Sequence, residues 1–235
     1  MRLIFKFFYD LLDHLFHRRR IKRYLSSLNL TCKVVVDVGS HTGESIDFFK
    51  NLYNKSRIYG FEPQRDCFKK LKNKYLYNKR VKVINYALSK KKGSKTLFKN
   101  YLTTTSTFSN LNNNSKHFKL KTFIIGSSNA GYYSTEESKT QTLTYFFKKF
   151  NLNRIDVVKI DTEGHEIDVL LGMEKIINKV KIIVIEHNFT DYYKNYDLKK
   201  IKLFLKKNSF VNSKNFKFPF MKYTDAIYFN SKILN

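Results

Sequence analysis

Three carboxylates crowd into six residues at Asp161, Glu163 and Glu166, directly after the apolar run Val157–Ile160 and around Gly164. Acids delivered together by a buried strand are costly unless they have partners, and the chain holds only 19 acidic residues to cluster. Such a group can orient a substrate hydroxyl, take its proton, or hold a hard divalent cation. Glu166 is also placed to cap the helix that begins there. A second apolar run ends in Glu186-His187, and His187 is the side chain type best suited to accept a proton near neutral pH. His41 and His165 are its rivals, whereas Asp156 and Asp168 read as solvated or capping residues.

Two further motifs read as ligand binding. In Val35–Ser45 an apolar run ends at Asp37, and Gly39 and Gly43 bracket Ser40, His41 and Thr42 before a helix starts near Glu44. Glycines in the turn after the first strand of a parallel sheet let the backbone approach a ligand, and the helix N-terminus offers free N–H groups. The spacing DxGxxxG, unlike GxGxxG, suits a nucleoside without a pyrophosphate. About twenty residues on, Glu62 ends a second run (YGFEP). It is positioned either to accept hydrogen bonds from ribose hydroxyls or to cap the helix that Pro63 begins.

The elements that must carry these residues are short Val- and Ile-rich strands alternating with amphipathic helices. Strands are expected at Lys33–Val38, Ile58–Phe61, Val81–Ala87, Ile155–Ile160 and Lys181–Glu186. Helices are expected at Glu44–Tyr53, Cys67–Tyr77, Leu143–Phe150, Glu166–Asn178 and Leu198–Lys207. Alternation of this kind gives an α/β three-layer sandwich, with a mostly parallel sheet covered on both faces. Phe210–Phe216 and Asp225–Asn230 read as an antiparallel hairpin at one edge. Residues 100–140, rich in Asn, Ser and Thr, break the rhythm and read as a long loop suited to a lid.

Residues 1–30 form a unit of their own ahead of a domain spanning 31–235. Leu3, Ile4, Phe7, Phe8, Leu11, Leu12, Leu15 and Phe16 recur at helical spacing, and Arg18, Arg19, Arg20, Lys22 and Arg23 follow. Packing of this amphipathic helix on the domain is the favoured reading. A peripheral contact of residues 1–28 with the inner face of an acidic membrane is the other. Asp10, Asp13 and His14 interrupt the apolar stretch and argue against a signal peptide.

The 45 Lys and Arg outnumber the acids enough to give a net charge of +26. Lys is spread through nearly every segment, which favours compositional drift over a nucleic-acid interface. Cys32 and Cys67 lack any CxxC or metal-ligand spacing, which argues against a disulfide framework and a zinc site and fits a reducing, cytoplasmic setting.

VDVGSHTG, GFEP, KIDTEGHEIDVLLGM, IIVIEHN and the closing DAIYFN together resemble FkbM-type methyltransferases from about Lys33 to Asn230. The DxEGxE element is the specific part. The resemblance implies a class I, Rossmann-like methyltransferase fold with S-adenosylmethionine as cofactor and transfer to a hydroxyl of a sugar, glycan or related metabolite. It implies cofactor contacts from Asp37, Gly39, Gly43 and Glu62, with Asp161 near the methyl donor; Ser40, His41, Thr42 and Pro63 complete the cofactor side. Asp161, Glu163 and His187 are the catalytic candidates, and no metal is assigned. Ser40 and His41 stand where the family commonly has Ala and Asn, and Thr142-Leu143-Thr144 lacks an acidic residue often found there. A nucleic-acid methyltransferase, lacking here an NPPY-type motif, ranks below. So does a non-catalytic basic module binding RNA or membranes.

Overall fold

The structure, a computed structural model, describes residues 16–100, 105–119, 134–194, 196–219 and 222–233. Among these residues the strands are β1 (Val34–Val38), β2 (Arg57–Phe61), β3 (Val81–Ile84), β4 (Ala87–Leu88), β5 (Gly93–Lys99), β6 (Ser134–Gln141), β7 (Ile155–Ile160), β8 (Val180–Asn188), β9 (Phe210–Lys217) and β10 (Tyr223–Asn230). The α-helices are α1 (Arg18–Ser27), α2 (Glu44–Leu52), α3 (Arg65–Lys74), α4 (Leu143–Lys149), α5 (Glu166–Gly172) and α6 (Leu198–Lys207). Seven strands form one sheet in the order β3-β2-β1-β7-β8-β10-β9, parallel as far as β8 and antiparallel from there to the edge. The mostly parallel sheet and its C-terminal edge hairpin are thus as the sequence predicts.

Side chains alternate between the two faces of each strand, so a strand buried on both faces feeds two cores. Val34, Val36, Val38, Val158, Ile160, Ile183 and Ile185 pack with Leu143 and Phe146 of α4, Val169 and Leu170 of α5, and Ile201 and Leu205 of α6. On the other face Val35, Ile58, Val157, Ile182, Val184 and Ile227 pack with Ile21 and Leu25 of α1, Ile46 and Phe49 of α2, and Leu71 of α3. This is the three-layer sandwich. α1 packs on the domain through its apolar stripe; the stretch Leu3–Leu15 of the expected amphipathic helix lies outside the described residues.

Three expectations are corrected. Ser134–Gln141 is not loop: β6 pairs antiparallel with β5 and parallel with β4 in a second, three-stranded sheet. Its polar sequence hid it, because only Ser138, Thr140 and Gln141 of this strand are buried. The expected helix Glu166–Asn178 ends at Gly172 and resumes as a 3₁₀ turn over Glu174–Lys179. Gly172 packs so closely on Ser89 that a Cβ would lie 2.2 Å from its carbonyl oxygen. Asp156 is not solvated. It is 3% exposed, accepts from the Lys33 and Val34 amides at 2.8 and 3.0 Å, and pairs with Arg154, clamping the start of β1. Asp168 lies between Lys90 and Lys95, at 3.4 and 3.0 Å. Cys32 and Cys67 are both buried and unpaired.

Candidate active site

The C-terminal ends of β1, β2 and β7 lie side by side, with Asp37 level with Gly60 of β2 and Lys159 of β7. The turn after β1 is held against the neighbouring strand: the Gly39 and Ser40 amides both donate to the Phe61 carbonyl, at 3.0 and 3.1 Å. Gly39 has φ +83°, and a Cβ there would stand 1.9 Å from the Asp161 carbonyl oxygen. Only glycine permits that contact, and it brings the first motif directly onto the third. Gly43, at φ +96°, opens α2 beneath the Tyr75 hydroxyl, which donates to its carbonyl at 2.9 Å.

Glu62 joins the same turn. One carboxylate oxygen accepts from the His41 amide and the other from the Gln64 amide, each at 2.8 Å. α3 begins at Arg65 and not at Pro63 as expected, so Glu62 reaches only the amide of the N-cap residue Gln64, and each oxygen keeps a lone pair for a further donor. Burial pushes the Glu62 carboxyl up to about 7, against the backbone bonds that favour its charge. Burial would lower His41, but Cys67 and Glu44 hold it up at about 10. The Ser40 hydroxyl turns back onto the Asp37 carbonyl, and that of Thr42 bonds Glu44. The Pro63 carbonyl accepts from Asn85. Asp37 itself is fully buried; Ser45 donates to Oδ2 at 2.7 Å, while Oδ1 has no partner among the described residues. Burial raises the Asp37 pKa above the usual carboxylate range.

The period of two along each strand decides which candidates meet. Val35, Val157, Val184 and Ile227 face α1 and α2, so Asp37, Lys159, Asp161, Glu186 and Asp225 share that face. Lys159 Nζ donates to Asp161 Oδ2 at 2.9 Å. Burial disfavours its charge, but Asp161 and Asp37 outweigh that and raise the Lys159 pKa. Glu186 lies opposite Asp225 on β10, and no hydrogen bond from a described residue reaches its carboxylate. Burial, together with the negative charges of Asp161, Glu163 and Asp225, lifts its pKa well above the ordinary value. Asp225 in turn takes His17 Nε2 at 2.7 Å, tying the start of α1 to this end of the sheet.

His187 is not brought to this group. It points to the opposite layer, 2% exposed, with Nε2 2.9 Å from the Tyr228 hydroxyl. Burial and the Lys202 charge lower its pKa to about 4. His165 is buried as well, against Ser89, and burial with the Lys95 charge lowers it to about 4. Glu163 sits at the turn with φ +52°, its carboxylate taken by the Tyr193 hydroxyl. Glu166 accepts from the Thr162 and Gly164 amides and from the Thr162 hydroxyl, so it braces the turn ahead of α5 and does not cap the helix as the sequence suggested. The described part of the Asn- and Ser-rich segment packs on this same turn: Thr107 donates to the Glu163 carbonyl and Ser109 to that of Gly164. Among the described residues no three His, Cys, Asp or Glu side chains are grouped to hold a metal.

Lys159, Glu186 and Asp225 were missed in the sequence. A Lys inside an apolar strand, two residues from Asp161, was a legible signal, since a buried cation needs a carboxylate on its own face. Choosing Glu186 over its neighbour His187 was not legible, because that depends on which face of β8 meets β7 and α1.

The sequence profile of the methyltransferase FkbM domain matches residues 37–216. No curated protein sequence matches the chain. Among solved structures it is similar to a Clostridium thermocellum protein assigned as an rRNA methylase, with a TM-score of 0.51 and 13% identity over 91% of this chain and 94% of that one. It is equally similar to a Staphylococcus aureus protein assigned as a caffeoyl-CoA O-methyltransferase, with a TM-score of 0.51 and 10% identity over 90% and 82% of the two chains. At such identities the likeness is one of fold. The family match spans both glycines of the first turn, Glu62, the Asp161 turn and Glu186: the chain belongs to the FkbM methyltransferase domain family.

Proposed function

We propose that this chain transfers a methyl group from S-adenosylmethionine to a hydroxyl of a sugar, glycan or related metabolite. The observation that carries the reading is the convergence of the Gly39–Gly43 turn, the Glu62 carboxylate and Asp161 at one end of the sheet. When bound there, S-adenosylmethionine supplies a methyl group already activated for in-line displacement.

The residues present fit that cofactor. Glu62, fixed by two backbone amides, offers its remaining lone pairs to ribose hydroxyls. Asp37 Oδ1, buried with no partner among the described residues, and the close approach of Gly39 to Asp161 fit a ligand lying across the strand ends. Asp161, with its side chain 35% exposed and one oxygen on Lys159, orients the donor side. Glu163, tied to Tyr193, fixes the turn that carries Asp161. The proton of the acceptor hydroxyl goes to the ionised carboxylate of Glu186, which shares the face of Asp161. His187, facing the other layer, has no part in this step. The acceptor class rests on the family resemblance, and the segment around Thr107 and Ser109 closes over the acceptor.

Thermal shift with S-adenosylmethionine and S-adenosylhomocysteine tests the cofactor, since a ligand that binds only the folded state raises its melting temperature. Both nucleosides should stabilise the chain, and Asp161→Ala should stay folded while losing methyl transfer from labelled cofactor to glycan acceptors. No shift with either nucleoside would remove the reading.

A further inference from the structure

We propose that the outer face of α1 docks the protein onto an anionic lipid bilayer. The proposal is independent of the reading of the active site.

Ile21 and Leu25 turn inward, and the helix is pinned at its start by His17 on Asp225. Phe16, Arg19, Arg20 and Arg23 recur at i, i+3, i+4 and i+7 on the opposite side, with Arg20 at its flank, the guanidinium 5.7 Å from the centre of the Phe216 ring. All four are exposed, Phe16 by 56%. α1 contains no acidic residue, and neither Arg19 nor Arg23 forms an ion pair with a described residue. On the adjoining edge strand, Lys214 is level with Ile227 and therefore faces the same way, also exposed.

This patch differs from the rest of the charge. The chain's positive residues are mostly Lys and diffuse, yet four of its nine arginines fall between Arg18 and Arg23. The guanidinium fork matches phosphate oxygens where a Lys ammonium acts as a point charge. Its arginines also precede residues 37–216, so they lie outside the stretch that matches the family.

A bilayer fits better than a nucleic acid because the patch joins cations to apolar groups. Exposed Phe16 sits beside the arginines, and the sequence just upstream is apolar at helical spacing, with Leu11, Leu12 and Leu15 following Phe7 and Phe8. An apolar stripe beside a row of arginines suits the boundary between headgroups and acyl chains, where the apolar side chains sink below the phosphates that the cations bind. No helix among the described residues is long and apolar enough to cross a membrane, so the contact is peripheral.

The test is co-sedimentation of the full chain with vesicles of phosphatidylcholine alone and of phosphatidylcholine with an equal part of phosphatidylglycerol. Binding is expected only to the anionic vesicles. Each basic residue near such a surface strengthens binding about fivefold, so the triple variant Arg19→Gln/Arg20→Gln/Arg23→Gln should bind on the order of a hundredfold more weakly. Its exposed side chains leave folding intact, checked by circular dichroism. Lys199→Gln/Lys200→Gln/Lys206→Gln on α6 removes the same charge elsewhere and should leave binding near that of the parent. Phe16→Ser should weaken binding at unchanged charge. Parent protein that stays in the supernatant, or equal losses from the two triple variants, would overturn the proposal. Retention by transfer RNA without vesicle binding would assign the patch to nucleic acid instead.

Discussion

Glu62 does two things at once. It fastens the glycine turn to the end of β2 through the His41 and Gln64 amides, and it keeps acceptor capacity for a ribose. Because burial holds this carboxyl at about 7, its charge appears only as the pH climbs through that value. Affinity for S-adenosylmethionine should therefore rise with pH, falling by up to about tenfold per unit below 7. Glu62→Ala should weaken binding at every pH and flatten the profile. Titration calorimetry between about pH 5.5 and 8.5 reads both, and a flat profile for the parent would detach Glu62 from the ribose. Glu186 makes a second prediction. Its folded pKa lies above the ordinary carboxylate value, so the fold favours the neutral form and loses stability as pH rises toward the raised value. Glu186→Gln stays neutral, so its advantage should grow with pH. The difference in melting temperature between the variant and the parent should therefore be larger at about pH 8 than near pH 4. A melting temperature that falls equally at both pH values would mean that Glu186 is a packing residue.

At the scale of the element, the turn between β1 and α2 is decided by two glycines for different reasons. Gly39 is squeezed by the Asp161 backbone, whereas Gly43 starts a helix under an aromatic ring. A methyl group at Gly43 would lie 2.5 Å from the Tyr75 hydroxyl and would force a side chain into the left-handed region. Gly43→Ala should cost about 1–3 kcal/mol in urea unfolding. Loss of less than about 0.5 kcal/mol would show that Tyr75 yields freely. The same scale shows where pattern reading stopped. β1, β2, β7 and β8 were legible because both faces are buried and the strands are continuous apolar runs. β6 was not: STEESKTQ is stabilised by pairing with β5 and by polar contacts such as Ser94 on Glu137, which no hydrophobic period announces.

The whole molecule carries +26, and like charges spread over a compact body repel. Raising ionic strength from about 0.01 to about 0.15 M shortens the screening length from about 30 to about 8 Å. The melting temperature should therefore rise with sodium chloride over that range, and a fall would point instead to stabilising surface ion pairs. What the sequence determined by itself was whatever depends on neighbours along the chain: alternation of strand and helix, glycines at a turn, acids at strand ends, and through them the sheet and the family. What the tertiary structure decided was which of these residues meet. Glu186 and His187 are adjacent in the chain yet lie in different layers, because a strand turns successive side chains to opposite faces and only its neighbours say which face holds the site. His17 and Asp225, separated by 208 positions, touch for the same reason: α1 covers the face onto which the last strand delivers its carboxylate.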